Sequence, residues 1–88
     1  MKYISHLFLK ANINLYVALK KEIDVLLIIG NNIRKERIKQ NLTQSQLAFE
    51  TNLTREFINK VETGKYNISV KKLNKIADSL NIKLKDLF

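Results

Sequence analysis

Apolar positions recur every three to four residues along most of this chain. Ile4, Phe8, Ala11, Leu15 and Ala18 fall on one helical face, which predicts a helix over about residues 4–19. A second helical piece is predicted over about residues 21–29. Here INLYVAL (13–19) and IDVLLII (23–29) also carry the β-branched and aromatic residues that suit strands. From Gly30 the pattern is cleaner. Residues 30–41 read as a helix with Ile33 and Ile38 inward and Arg34, Lys35, Glu36, Arg37 and Lys39 around them. Asn31 or Asn32 can cap its start. Asn41 can close its end, because Asn tolerates left-handed backbone angles better than other residues with a β-carbon.

The stretch QSQLAFETNLTREFINKVET (44–63) is more constrained. Thr43 is placed as an N-cap, with Gln46 three residues on to complete a capping box. Leu47 and Ala48 form the buried face, and the small Ala48 allows close helix crossing. Asn52 ends this helix, Leu53 buries in the turn and Thr54 caps the next helix. In residues 55–63, Ile58 and Val61 face inward while Arg55, Glu56, Asn59 and Lys60 face outward. Gly64 follows as the C-cap. This order of small, turn and apolar positions predicts two helices crossing at about 90–120°, a helix-turn-helix. Beyond a loop at Lys65, Tyr66 and Asn67, Ser69 caps a further helix to about Leu80, with Leu73, Ile76, Ala77 and Leu80 inward. Asn81 ends it. Ile82, Leu84, Leu87 and Phe88 then close the core or form an apolar C-terminal surface.

Residues 30–88 resemble the helix-turn-helix domain of the phage Cro/C1-repressor type, also called the xenobiotic-response-element type. The resemblance rests on IRKERIKQNLTQSQLA, NLTREFINKVETGK and ISVKKLNKIADSLNIKLKDLF. Within that family, LAFETNLTREFI and GKYNIS look most like the controller proteins of restriction–modification systems. The resemblance implies an all-α, five-helix domain over 30–88, preceded by a helical extension over 1–29 that has no counterpart in the usual family domain. Asn41, Asn52 and Asn81 stand where glycine is common in the family, and Ile68 where proline is common.

The resemblance also implies roles. Arg55, Glu56, Asn59 and Lys60 would read base edges, with Arg55 suited to guanine O6 and N7. Thr43, Gln44, Thr54, Lys65, Tyr66 and Asn67 would hold the DNA backbone. Gln44 lies at a helix N-terminus, where free amides favour an anion. Arg37 and Glu62 would form an internal ion pair. A homodimer on a pseudo-palindromic operator is implied, with the dimer contact at the end of the domain.

Composition agrees with this picture. The chain has 88 residues, a net charge of +8 and a pI near 9.9, a balance that suits a polyanionic partner such as double-stranded DNA. Thirteen of the sixteen basic residues are lysine, so base composition of the coding DNA also feeds the charge, and the spacing has to decide. The chain lacks cysteine, which excludes disulfides and thiolate zinc sites and suits the cytoplasm of a bacterial or phage host. No glycine-rich phosphate loop, metal-ligand cluster or nucleophile–base set is present, so neither an enzyme nor a cofactor is expected. The apolar runs of residues 15–19 and 25–29 are far shorter than the roughly 20 residues of a membrane-spanning helix. They leave open a second function class, an antitoxin whose residues 1–29 bind a protein partner.

Overall fold

A computed structural model describes residues 2–88 of the chain, with side chains from Ile13 onward. The inward face expected for Ile4, Phe8 and Ala11 therefore lies outside the described side chains. Helix α1 spans Lys2–Lys39, α2 Gln44–Thr51, α3 Arg55–Glu62 and α4 Val70–Ser79, and a single 3-10 turn, Leu84–Leu87, closes the chain. The described residues are thus all-helical with four α-helices, not five: the last apolar segment winds only one 3-10 turn.

The three helical segments read from residues 4–41 are one helix of 38 residues. Gly30 does not break it, and Asn31 and Asn32 are interior residues rather than caps. Asn32 instead donates from Nδ2 to the Leu87 carbonyl at 3.0 Å, tying α1 to the C-terminal turn. At a rise of about 1.5 Å per residue, α1 is about as long as the molecule, whose longest extent is 58 Å. Its C-terminal third packs on the rest of the domain, where Ile29 and Ile33 are buried. Ile38, expected inward, is half exposed; the buried stripe passes through Ile33 and Arg37 and leaves Ile38 about 100° away.

The core joins Ile29 and Ile33 of α1 to Leu47 and Ala48 of α2, Ile58 and Val61 of α3, Leu73, Ile76 and Ala77 of α4, and Ile68, Leu80 and Leu87. Each of the four α-helices ends on a left-handed residue: Asn41 (φ 58°), Asn52 (φ 55°), Gly64 (φ 70°) and Asn81 (φ 57°). In each case the next residue's amide turns back onto the helix. Leu42 reaches the Arg37 carbonyl at 3.0 Å, Leu53 that of Ala48 at 2.9 Å, Lys65 that of Lys60 at 2.8 Å and Ile82 that of Ala77 at 3.0 Å. These are Schellman turns, which satisfy helix carbonyls that would otherwise lack donors. Leu42, Leu53 and Ile82, the residues after the three asparagines, pack against the core. Thr43, Thr54 and Ser69 then cap α2, α3 and α4 by accepting from the amides of Gln46, Phe57 and Lys72. The Thr43–Gln46 capping box is complete, because Gln46 Oε1 accepts from the Thr43 amide at 2.7 Å.

Candidate nucleic-acid interface

The α2–α3 hairpin is fixed from three directions. Ala48, buried in the middle of α2, accepts the Leu53 amide on its carbonyl at 2.9 Å and so ties the turn back to α2. Ile58 and Val61 anchor one side of α3 in the core, with no more than 2% of their surface exposed. The third anchor is α1. A β-carbon on Gly30 would collide with the Val61 carbonyl oxygen and lie 2.7 Å from that of Glu62, so only a bare Cα lets α1 cross the end of α3 so closely.

Two turns further along α1, Arg37 grips the same end of α3. Its Nε donates to Glu62 Oε2 at 2.7 Å and its Nη2 to Oε1 at 3.0 Å, both within the buried interior. Its Nη1 donates to the Leu42 carbonyl at 2.7 Å, so one guanidinium fastens α3 and the turn after α1 together. The planar fork of arginine matches a carboxylate in this two-bonded way, which a lysine could not.

With its inner side occupied, α3 turns Arg55, Glu56, Asn59 and Lys60 to solvent, and all four are exposed. Gln44, the first residue of α2, lies beside them. Its Nε2 is 3.2 Å from both Asn59 Oδ1 and Glu62 Oε1, so it bridges the outer face of α3 to the buried ion pair. Spacing alone does not reveal that second role for Gln44. Thr43 and Thr54 are exposed residues whose hydroxyls are engaged as caps.

The loop after α3 is exposed at Lys65, Tyr66 and Asn67. Tyr66 packs edge-on against Phe57, with ring centroids 4.9 Å apart, and Lys72 Nζ sits 5.0 Å from the Phe57 centroid. Asn67 donates to Glu22 Oε1 on α1 at 3.4 Å. Contact between this loop and α1 is invisible in the sequence, since 45 residues separate the two side chains. Among the described residues no group of histidine or acidic side chains could hold a metal ion, and no helix is long and apolar enough to cross a membrane.

A capped helix pair that buries one side of its second helix and offers the other, polar side to solvent defines a helix-turn-helix module. Residues 33–87 match the helix-turn-helix family model, and the chain belongs to that family of DNA-binding transcription regulators, not to an enzyme family. It is 37% identical over 65 residues to the control protein C.BamHI of Bacillus amyloliquefaciens, covering 73% of this chain and 80% of that protein. It is 36% identical to the control protein C.MunI of a Mycoplasma species, covering 74% and 89%. Among solved structures, the restriction–modification controller protein C.AhdI of Aeromonas hydrophila superposes with a TM-score of 0.72 at 33% identity, covering 75% of this chain and 96% of that one.

Proposed function

We propose that the chain reads the major groove of double-stranded DNA with α3 and acts as a controller-type regulator of transcription. The observation that carries this is the outward face of α3, where Arg55, Glu56, Asn59 and Lys60 stand exposed on a helix locked from behind. Arg55 offers two parallel donors to guanine O6 and N7. Asn59 can pair with adenine, Glu56 can accept from cytosine N4, and Lys60 reaches guanine or phosphate. Thr43 and Gln44 open α2, where free amides meet one phosphate. Thr54, Lys65, Tyr66 and Asn67 flank α3 and hold the backbone, fixing register without reading sequence.

The chain acts as a homodimer on a pseudo-palindrome with half-sites about one helical turn apart, roughly 34–36 Å. It works in the bacterial or phage-infected cytoplasm, at the nucleoid. The likeness to control proteins of restriction–modification systems supports this reading, as does the net charge of +8. The test is binding of the purified protein to duplex from the region upstream of its own coding sequence, against random duplex of equal length. The reading requires tighter binding to the former, weakening steeply with salt as condensed counterions are released. Equal affinity for both would refute it.

A further inference from the structure

Gln44 makes a pattern of bonds that limits what the outer face of α3 can offer. Its Nε2 lies 3.2 Å from Glu62 Oε1 and 3.2 Å from Asn59 Oδ1. A carboxylate only accepts, so the Gln44 atom that faces Glu62 is the NH2 group and not the carbonyl. Glu62 is itself held in place, because Oε1 and Oε2 each accept from Arg37. The orientation of the Gln44 amide is therefore set from the buried side. An NH2 group in turn calls for an acceptor, so Asn59 faces it with Oδ1 and turns Nδ2 the other way.

An amide nitrogen carries two hydrogens, and Gln44 directs one at Asn59 and one at Glu62. What its side chain has left for solvent is Oε1, an acceptor, which a phosphate oxygen repels. The backbone amides at the start of α2 remain for an anion. Asn59 is exposed, and its Nδ2 stands clear of this chain of bonds, while one Oδ1 lone pair is taken. In the major groove, purines present N7 as an acceptor, guanine adds O6, and thymine presents O4. Cytosine presents only the N4 donor.

We propose that Gln44 is a positioning residue that fixes the polarity of Asn59, so that Asn59 reads its base by donating from Nδ2. The bonds run from Arg37 to Glu62, Gln44 and Asn59, joining the buried ion pair to the exposed face of α3. The proposal rests on the reading above, in which α3 enters the major groove. A free asparagine amide turns over and exchanges donor for acceptor, so alone it accommodates a base of either polarity. Here a turn would set Asn59 Nδ2 against Gln44 Nε2, donor against donor, and forfeit their hydrogen bond. Adenine then suits Asn59 best: N7 takes the Nδ2 hydrogen, and N6 reaches the remaining Oδ1 lone pair. Guanine and thymine satisfy Nδ2 alone, and cytosine leaves it without an acceptor. Arg55 carries only donors and needs no neighbour to fix its polarity, so its base should be read independently of Gln44.

The test is binding of the full chain to duplexes in which each operator position carries each of the four base pairs in turn. The position read by Asn59 is the one whose preference Asn59→Ala relaxes. Gln44→Met keeps the length of the side chain and removes its amide. It should reduce discrimination at the Asn59 position by about two- to tenfold, the worth of one hydrogen bond. Discrimination at the Arg55 position should stay unchanged. Asn59→Asp, an exposed substitution, still accepts from Gln44 but has no donor left, so it should turn the preference at that position toward cytosine. Side-chain amide NMR of the free protein reads the bonds without DNA. The Gln44 Nε2 protons should exchange with water more slowly than those of an unbonded glutamine amide, and Asn59→Ala should hasten that exchange. Four outcomes would overturn the proposal: Gln44→Met weakening every duplex equally, which makes Gln44 a phosphate contact; Gln44→Met leaving the Asn59 position fully discriminating; Asn59→Ala relaxing no position; or Gln44 protons that exchange freely. A wild-type chain that binds operator and random duplex alike fails the DNA reading and this proposal together. Discrimination kept at Arg55 and unaltered at Asn59 fails this proposal alone.

Discussion

Arg37 and Glu62, twenty-five residues apart in the chain, share two hydrogen bonds that fasten the end of α3 to α1. The Glu62 side chain is 2% exposed and that of Arg37 11%, so this is an interior pair and not a surface one. Removing one partner would strand the other charge away from water. Arg37→Ala or Glu62→Ala should each destabilise the fold by roughly 3–5 kcal/mol. Urea unfolding followed by circular dichroism checks this, and the double variant should cost less than the sum of the singles, since the two residues share one interaction.

Gly30 sets up a contest between two effects. Placing alanine in a helix interior in place of glycine gains about 1 kcal/mol. Here the added methyl would meet backbone carbonyls of Val61 and Glu62, which cannot swing away as a side chain tip could. The clash should win, so that Gly30→Ala destabilises by about 1–3 kcal/mol rather than stabilising. Alanine at exposed Asn31 provides the reference for the propensity effect alone.

The asparagines Asn41, Asn52 and Asn81 sit at positive φ, where a side chain costs energy and glycine does not. Each Asn→Gly change should hold or raise stability by a few tenths of a kcal/mol, and each Asn→Ala change should lower it by about 1 kcal/mol. For a domain of this size that loss corresponds to a fall in Tm of about 4–8 °C.

These helix ends are also the most legible part of the chain. In Asn41-Leu42-Thr43 and Asn52-Leu53-Thr54 a stop, a core anchor and a start follow one another, and each is a local signal with a local cause. The outward placement of Arg55, Glu56, Asn59 and Lys60 was equally readable, because Ile58 and Val61 leave α3 only one way to face. Residues 2–39 were not readable in the same way. Gly30 followed by Asn31 and Asn32 carries the local marks of a break and a cap, yet these residues lie inside one helix. Gly30 is glycine because of α3, some thirty residues later, and Asn32 bonds the carbonyl of Leu87. Local pattern does not contain those partners. Gln44 is another such case, since its bonds to Asn59 and Glu62 cross between helices.

On DNA, Arg55→Ala should cost roughly 1–3 kcal/mol of discrimination at one base position and relax preference there. Lys65→Ala should instead weaken binding evenly across sequences and reduce the slope of log affinity against log salt by about one. Competition binding across a set of single-base operator variants, repeated at several salt concentrations, separates the two. An even loss for Arg55→Ala would place that residue on the phosphate backbone.

Gln44→Ala tests a coupling. Its amide touches both the outer face of α3 and the buried carboxylate of Glu62. The change should weaken DNA binding and also lower stability by about 1 kcal/mol, the worth of an ordinary hydrogen bond. A loss in binding with no change in the unfolding midpoint would confine Gln44 to the DNA side.

The missing side chain at Gly30 has one more consequence. By letting α1 touch the backbone of α3 directly, it removes the compliant layer that side chains usually place between two helices. With Arg37 as a second point of attachment two turns away, α1 is clamped to the end of α3 at two places, and the turn after α3 meets α1 again at Leu27 and Glu22. Helices α1 and α3 therefore keep one relative orientation, and the outward face of α3 is set by α1 as much as by the turn that precedes it.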